Sequence, residues 1–257
     1  MTDALLDPAA RIVIGHRGAA AEAPENTMPS FERAAESGVD ALEFDVHVTA
    51  DGHPVVIHDP SLRRTTDRDG AVASLTLAEL RAADAGARFR RGNEFPFRGR
   101  GIGVPTVEEV LVRFPALPLL IEIKAAAASG PLARVLARHG AQARCVIGSF
   151  DDRALLPFRA PPWHATASQR DVVRLLARLL LGRADDAARY DALSIPPDWH
   201  HLPLPVARIA RAARARGRPV HLWTVDDPRA AARWWARGVS GIITNDPAAI
   251  VPRRPAR

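Results

Sequence analysis

Three carboxylates and two histidines stand at spacings suited to metal-assisted acid/base chemistry: Glu43, Asp45 and Glu122, with His16 and His58. Glu43 and Asp45 lie two residues apart in an apolar run, so a strand turns both to one face; Glu122 and Lys124 repeat the pattern. Carboxylates gathered in one buried space repel, and a hard divalent cation held by oxygen is the simplest relief. With no cysteine in the set, Mg²⁺ or Ca²⁺ is favoured over zinc, and Mn²⁺ stays open. Two imidazoles beside such a cation suit an anionic phosphate, one removing a hydroxyl proton and the other protonating the leaving oxygen.

His58 reaches this set through a hairpin. Asp51-Gly52 predicts a two-residue type I′ turn, which pairs Ala50 with His53 and, at the far end, Asp45 with His58. His16 comes from the neighbouring strand end, followed by Arg17, whose fork suits a phosphate. Glu25-Asn26-Thr27 precedes a helix starting near Met28, whose free N–H groups would face the same phosphate; Asn26 is read as part of that site. Glu25 is expected either in the metal shell or orienting His16. Lys124 is the only lysine among 35 basic residues, so its place favours a compact ammonium over a guanidinium. The alternative for Glu122 and Lys124 is a structural ion pair. Trp223 ends a later strand and could stack on substrate or simply pack. His47 continues the Glu43 and Asp45 face but reads as structural, and His53, His139, His164, His200 and His221 have no carboxylate at suggestive spacing.

Short apolar runs bounded by Gly, Pro or Asp must position these residues. They fall at 12–15, 41–46, 119–123, 144–149, 164–167, 192–195, 220–225 and 241–244. Helical segments alternate with them at 28–37, 106–114, 132–139, 171–181, 206–216 and 228–237, several followed by glycine. Eight strands with intervening helices predict an α/β fold, a (β/α)8 TIM barrel filling 1–257 as one domain, with a core over 11–250. Such barrels place their sites at the C-terminal strand ends, where these polar residues stand. A doubly wound open sheet is the lesser alternative, and no glycine-rich dinucleotide loop follows the first strand. Residues 47–105, with a helical piece at 75–83, read as an insertion or cap between strands two and three without a core of its own. Residues 251–257 read as a frayed basic tail.

These residues resemble those of the glycerophosphodiester phosphodiesterase family. The resemblance rests on His16-Arg17-Gly18, Glu25-Asn26-Thr27, Glu43-Phe44-Asp45, Asp51-Gly52, His58-Asp59, Glu122-Ile123-Lys124 and Trp223-Thr224-Val225, in that order, with residues 238–244 as a closing strand. It implies that His16 and His58 are the acid/base pair, that Glu43, Asp45 and Glu122 bind one divalent cation, and that Arg17 and Lys124 neutralise phosphate. A glycerol hydroxyl or water would attack phosphorus, leaving glycerol 3-phosphate and an alcohol. The substrate would be a small glycerophosphodiester. The alternative is a lysophospholipid, as in a lysophospholipase D-like or sphingomyelinase D-like enzyme, which needs room for an acyl chain near the cap and the loop after Ala167. A noncatalytic barrel that binds phosphate or phospholipid head groups is the reading from a different class.

Composition narrows the rest. The chain is 47% hydrophobic and 25% charged, a profile that buries a core. One cysteine, Cys145, excludes an intrachain disulfide. The net charge of +6 comes from arginines spread along the chain, so nucleic acid is not an expected partner. No signal-like segment or long apolar run is evident, and a soluble, cytoplasmic protein is expected. Arg170, Arg174 and Arg178 alternate with apolar residues at helical spacing; an outer barrel helix is the main reading, and peripheral contact with anionic lipid the lesser one.

Overall fold

The computed structural model describes residues 4–183 and 189–255. Its strands are β1 (Ile12–His16), β2 (Ala41–Val48), β3 (Pro54–Val56), β4 (Leu119–Ile123), β5 (Cys145–Gly148), β6 (His164–Ala165), β7 (Leu193–Ile195), β8 (Asp198–Trp199), β9 (Leu202–Pro203), β10 (Val220–Leu222) and β11 (Gly241–Thr244). The helices are α1 (Met28–Glu36), α2 (Leu77–Leu80), α3 (Val107–Arg113), α4 (Ser129–Arg138), α5 (Asp152–Leu155), α6 (Gln169–Leu180), α7 (Val206–Arg214), α8 (Pro228–Ala236) and α9 (Pro247–Ile250). Eight parallel strands run in the order β6-β5-β4-β2-β1-β11-β10-β7, and β3 pairs antiparallel with β2. The two ends of this row meet: Thr166 bridges Ala192 in parallel, the Ala167 N–H donates to the Ala192 carbonyl at 2.9 Å, and the Asp191 N–H donates to that of Ala165 at 2.8 Å. The sheet is a closed (β/α)8 barrel, and each of the eight expected strands is present.

Strand alternation sorts the side chains into two layers. Outward residues such as Val13, Phe44, Ile121, Ile147, Leu222 and Ile242 join the buried cluster under the helices. Phe31 of α1 meets Phe44 of β2 with ring centroids 5.7 Å apart, which fastens that helix to the strand bearing the carboxylates. Inward residues form a second cluster containing Ile12, Ile14, Ala41, Leu120, Val146 and Ile243. Leu5 closes its lower end, and its carbonyl accepts from His221 Nε2, which settles where that buried ring carries its proton. Burial pushes His221 down to about 4, so it is neutral in the folded barrel at neutral pH. Above this apolar floor the same inward face changes character. Two residues beyond Ile14 stands His16, beyond Ala41 stand Glu43 and Asp45, and beyond Leu120 stand Glu122 and Lys124.

Three expectations need correction. The insertion at 47–105 has a small core: Val55, Ile57, Leu62, Val72, Leu80 and Val104 are buried together. Its chain is long enough to fold back on itself, and only four residues of the expected helical piece are helical, as α2. The tail at 251–257 is not frayed over its described part, since a 3₁₀ turn spans Val251–Arg253 and Arg254 pairs with Asp40. Finally, the β2–β3 register is Val46 with Val56 and Val48 with Pro54, one residue from the expected pairing. Only Gly52 of the turn has positive φ, at 85°, and the Thr49 N–H donates to the His53 carbonyl. The turn is thus a three-residue loop with glycine in the left-handed position, which shifts every pair by one. Among the described residues no helix is long and apolar enough to cross a membrane.

Candidate active site

A cavity of about 280 Å³ opens at the C-terminal strand ends, floored by Leu120 and Ile243 of the apolar layer. One wall carries His16, Arg17, Glu43, His58, Glu122 and Lys124. Strand register brings them together. His16 lies beside Glu43 in the β1–β2 ladder, and Asp45 lies beside Glu122 in the β2–β4 ladder. Ligand oxygens of Glu43, Asp45 and Glu122 come within 4.8 Å of one another.

The carboxylates differ sharply in their electrostatics. Burial, then the charges of Asp45 and Glu122, push Glu43 well above the usual carboxylate range. Asp45 is equally buried, yet Lys124 and Arg17 outweigh that burial and hold it below its ordinary value. Glu122 is raised, again mainly by burial. Lys124 Nζ stands 2.9 Å from Asp45 Oδ1 and 2.6 Å from Glu122 Oε1, so the expected residues do form an ion pair. One ammonium does not satisfy three acids, and Glu43 bears the imbalance. An all-oxygen set of this spacing and charge fits a hard divalent cation such as Mg²⁺, Ca²⁺ or Mn²⁺.

Each site histidine has one ring nitrogen occupied. His16 Nδ1 lies 2.7 Å from Asn245 Oδ1. The orientation of that amide follows from Asp226, whose carboxylate accepts from Asn245 Nδ2 at 2.9 Å and from the Asn245 N–H at 2.7 Å. A carboxylate only accepts, so Asn245 must turn its oxygen to His16, and His16 must donate from Nδ1. Its Nε2, 4.0 Å from Glu43 Oε2, is then the basic atom of the neutral ring. Burial and the neighbouring Arg17 lower the His16 pKa, which favours that neutral form. His58 Nδ1 sits 2.6 Å from Asp59 Oδ1, leaving Nε2 as its open position. His47 Nε2 donates to the His58 carbonyl at 3.1 Å and so steadies the loop, a structural role as expected.

The turn after β1 is built for close approach. Arg17 and Gly18 both have positive φ, 52° and 88°, and a Cβ on Gly18 would lie 2.5 Å from the Ser30 carbonyl carbon in α1. Only glycine allows this packing. The Arg17 N–H donates to Glu43 Oε2 at 3.0 Å, and its Nη1 to Glu25 Oε1 at 2.8 Å. Arg17 Nε lies 3.0 Å from Asp45 Oδ2 but lacks hydrogen-bond alignment, so that contact is an ion pair only.

Three site expectations change. Asn26 does not face the cavity: it is buried behind Asp45, donating to Asp45 Oδ2 at 2.8 Å and accepting from the Asp45 N–H at 3.3 Å. Its amide is spent on holding a carboxylate. No residue of α1 lines the cavity either, so its N-terminus has no phosphate to meet there. Glu25 joins neither the metal set nor His16; it pairs with Arg17 and with Arg64. Trp223 does line the cavity. His139 meets Glu108 at 2.8 Å, an exposed pair outside the cavity lining.

Three residues with evident roles, Asn245, Asp226 and Arg64, escaped the sequence reading, and Asp59 was read only as part of the His58-Asp59 motif. Asn245 and Asp226 orient His16; they stand in the strand-to-helix loops after β11 and β10, where the rule for strand ends could have found them. Asp59 orients His58 and follows it directly in the chain. Arg64 donates to both oxygens of Glu25 at 2.7 Å and to Asp59 at 2.7 and 3.1 Å, tying the His58 loop to the Arg17 loop. It carries no signal, because it lies on an irregular loop. Its hydrogen bonds, above all, draw Asp59 down to about 2.

The remaining wall comes from the opposite half of the barrel and is mainly apolar, with Phe150, Val172, Val173, Leu176, Leu204 and Trp199 beside the polar Ser149, Thr166, Ser168, Gln169 and Ser194. Ser168 caps α6, accepting from the Asp171 N–H while Asp171 accepts from the Ser168 N–H, and so fixes the helix that supplies three of these apolar residues. Thus α6 covers the barrel through buried Leu175 and also builds the cavity.

Comparison with known proteins agrees with this geometry. The model of the Glycerophosphoryl diester phosphodiesterase family matches residues 16–249. A glycerophosphodiester phosphodiesterase of Caldanaerobacter subterraneus is 32% identical over 256 residues, covering 93% of this chain and 96% of that protein. One from Bacillus subtilis is 31% identical, covering 95% and 86%. An Oleispira antarctica phosphodiesterase, solved in complex with the product sn-glycerol-3-phosphate, has a TM-score of 0.75 at 27% identity and covers 94% of this chain and 96% of its own. A glycerophosphoryl diester phosphodiesterase domain from Mycobacterium tuberculosis, with TM-score 0.82 at 21% identity over 93% and 97%, shares the fold. With its motifs gathered at one barrel mouth and the family pattern matched across nearly its whole length, this chain belongs to the glycerophosphoryl diester phosphodiesterase family of phosphoric diester hydrolases.

Proposed function

We propose that the protein hydrolyses glycerophosphodiesters to glycerol 3-phosphate and an alcohol, with His16 and His58 as its acid/base pair. The observation that carries this reading is the pair of imidazoles, each anchored through Nδ1, that line one cavity with Glu43 and Glu122, behind which Asp45 completes the carboxylate cluster. Glu43, Asp45 and Glu122 would hold one divalent cation, which supplies charge neutralisation and polarisation of the phosphoryl group. Arg17 and Lys124 add positive charge beside the same space.

Proton traffic follows from the ring nitrogens. His16 Nε2 takes the proton of the attacking hydroxyl, either water or the substrate's glycerol hydroxyl, as that oxygen bonds to phosphorus. The bond from phosphorus to the alcohol oxygen breaks, and His58 Nε2 delivers a proton to that oxygen. Asn245 and Asp59 hold the two rings in the required tautomers. When the glycerol hydroxyl attacks, a second attack by water opens the cyclic phosphate. Solvent access to the exposed side of His58 lets the protons exchange between turnovers.

The test is release of glycerol 3-phosphate from glycerophosphocholine and glycerophosphoethanolamine, in Mg²⁺, Ca²⁺, Mn²⁺ or EDTA. Release is expected with a divalent cation and abolished by EDTA. Undiminished release in EDTA would remove the cation from the mechanism, and no release under any condition would defeat the reaction.

A further inference from the structure

We infer that the insertion at 47–105 is a positioning device for the general acid: its core fixes Arg64, and Arg64 acts through Asp59 to keep the His58 ring aimed at the leaving oxygen. This inference rests on the acid/base reading above and gives a role to a residue outside it. Its starting observation is how differently the two site histidines are held. His16 lies within β1, so ladder hydrogen bonds fix its backbone while Asn245 fixes its ring. His58 lies outside the eight parallel strands, beyond the end of β3, and its side chain is 33% exposed against 16% for His16.

A ring in that setting needs a partner that does not itself turn. His58 Nδ1 lies 2.6 Å from Asp59 Oδ1, and among the described residues the Asp59 carboxylate has only His58 and Arg64 as hydrogen-bond partners. Arg64 grips it as a fork, Nε donating to Oδ2 at 2.7 Å and Nη2 to Oδ1 at 3.1 Å. The same guanidinium grips Glu25 with Nη1 and Nη2, each at 2.7 Å, and Glu25 Oε1 accepts from Arg17 Nη1 at 2.8 Å. A planar group bound along two edges cannot rotate without breaking bonds to two carboxylates. The Asp59 plane is thereby fixed with Oδ1 on the ring, which leaves Nε2 as the nitrogen that gives the proton.

The insertion explains where Arg64 stands. Arg64 is at the centre of a turn closed by the Thr66 N–H on the Leu62 carbonyl at 3.0 Å, and the buried Thr66 hydroxyl donates to that carbonyl as well. At the base of the turn the Leu62 N–H donates to the Gly70 carbonyl at 3.0 Å, and Arg88 Nε donates to the Thr66 carbonyl at 2.8 Å. Leu62 anchors the turn in the insertion's core, and Ile57, the residue before His58, is buried in the same core. One packed unit therefore holds both the acid's neighbour and the arginine that reaches back to it. Arg64 is 45% exposed, and exposed ion pairs add little to stability. Stability is thus a poor account of a guanidinium whose bonds converge on the residue beside the acid.

Leaving-group chemistry tests the inference on the intact protein. An acid matters where an alkoxide departs, as from glycerophosphocholine, and hardly at all where p-nitrophenolate departs, as from the p-nitrophenyl ester of glycerol 3-phosphate. Release of choline and of p-nitrophenol is followed in single turnovers with enzyme in excess and a divalent cation present, so that only breakage of the bond from phosphorus to the leaving oxygen is read. Arg64→Gln is expected to slow choline release at least roughly tenfold and p-nitrophenol release by less than about twofold. His58→Ala should show the same selectivity with a larger loss on choline. Equal losses on both esters in Arg64→Gln, while His58→Ala discriminates between them, would overturn the inference, as would a choline rate within about twofold of wild type. Equal losses in His58→Ala would instead defeat the acid assignment itself, and the inference with it.

Retained p-nitrophenol release also shows that the variant is folded. Should Arg64→Gln not fold, Arg64→Lys keeps the charge but loses the fork, and the same selectivity is expected of it with a smaller loss; equal losses on both esters would again overturn the inference. The route through Asp59 has its own check. Asp59→Ala removes the carboxylate through which Arg64 acts, so adding Arg64→Gln to it should slow choline release little further. Losses that multiply in the double variant would mean that Arg64 works by another path, and would overturn the inference.

Discussion

The two walls of the cavity are made by different means. The charged wall rises from β1, β2 and β4, where ladder register alone sets His16 beside Glu43 and Asp45 beside Glu122. The apolar wall comes from α6, the β8–β9 hairpin and the loop after β5, segments that meet only because the barrel closes at Thr166 and Ala192. A strand places a side chain through continuous hydrogen bonding, whereas a helix over a barrel mouth depends on its cap and its packing. His16 and the three carboxylates therefore sit on strands, and the mainly apolar wall sits on a helix, a hairpin and a loop.

Breaking the charged wall should have the largest effect. His16→Ala or His58→Ala is expected to lower kcat by at least roughly 10²-fold, with circular dichroism and thermal unfolding unchanged; near-normal rates in both would end the acid/base assignment. The wild-type rate should also carry an acid limb. His16 must be unprotonated to act as base, so kcat/KM falls as pH drops through its pKa. Burial and Arg17 lower that pKa, which puts the limb below the ordinary imidazole value of about 6.5. A limb above that value would contradict the assignment of His16 as base.

A smaller effect separates ligands from the residues that hold them. Asn26→Ala leaves all three carboxylates in place but strips Asp45 of its amide partner. Removal of such a partner should raise the metal concentration for half-maximal activity by about 10- to 100-fold. A metal titration superimposable on wild type would return Asn26 to the cavity side. Smallest is the change on the apolar wall: Ser168→Ala removes the cap of α6 and should cost about 1 kcal/mol in urea unfolding. No loss at all would mean that α6 is held by packing alone, and the contrast between the walls would weaken.

The hairpin carrying His58 illustrates how the sequence could be read and where reading stopped. That Asp51-Gly52 turns the chain, and that the return strand delivers His58 to the carboxylates, was legible from turn chemistry and alternation. The pairing was not, because a two-residue and a three-residue loop can share the same glycine, and the choice between them rests on the Thr49 and His53 contact. Asn26 tells a similar story. An asparagine before a helix reads as a phosphate ligand or a backbone partner equally well, and only the packing of the β1 loop against β2 turns its amide to Asp45.

By itself the sequence determined the eight strands and the shared face of those that carry charge, and hence that His16, Glu43, Asp45, Glu122 and Lys124 share one end of a barrel. Those follow from a period of two along short apolar runs, which is a local property of the chain. Tertiary structure alone decided who orients whom: Asn245 on His16 across 229 residues, Arg64 on Glu25 across 39, and the helix and hairpin that close the apolar wall. The physical reason is that alternation is written in neighbouring residues, whereas a hydrogen-bond partner is chosen by whichever loop ring closure brings within about 3 Å.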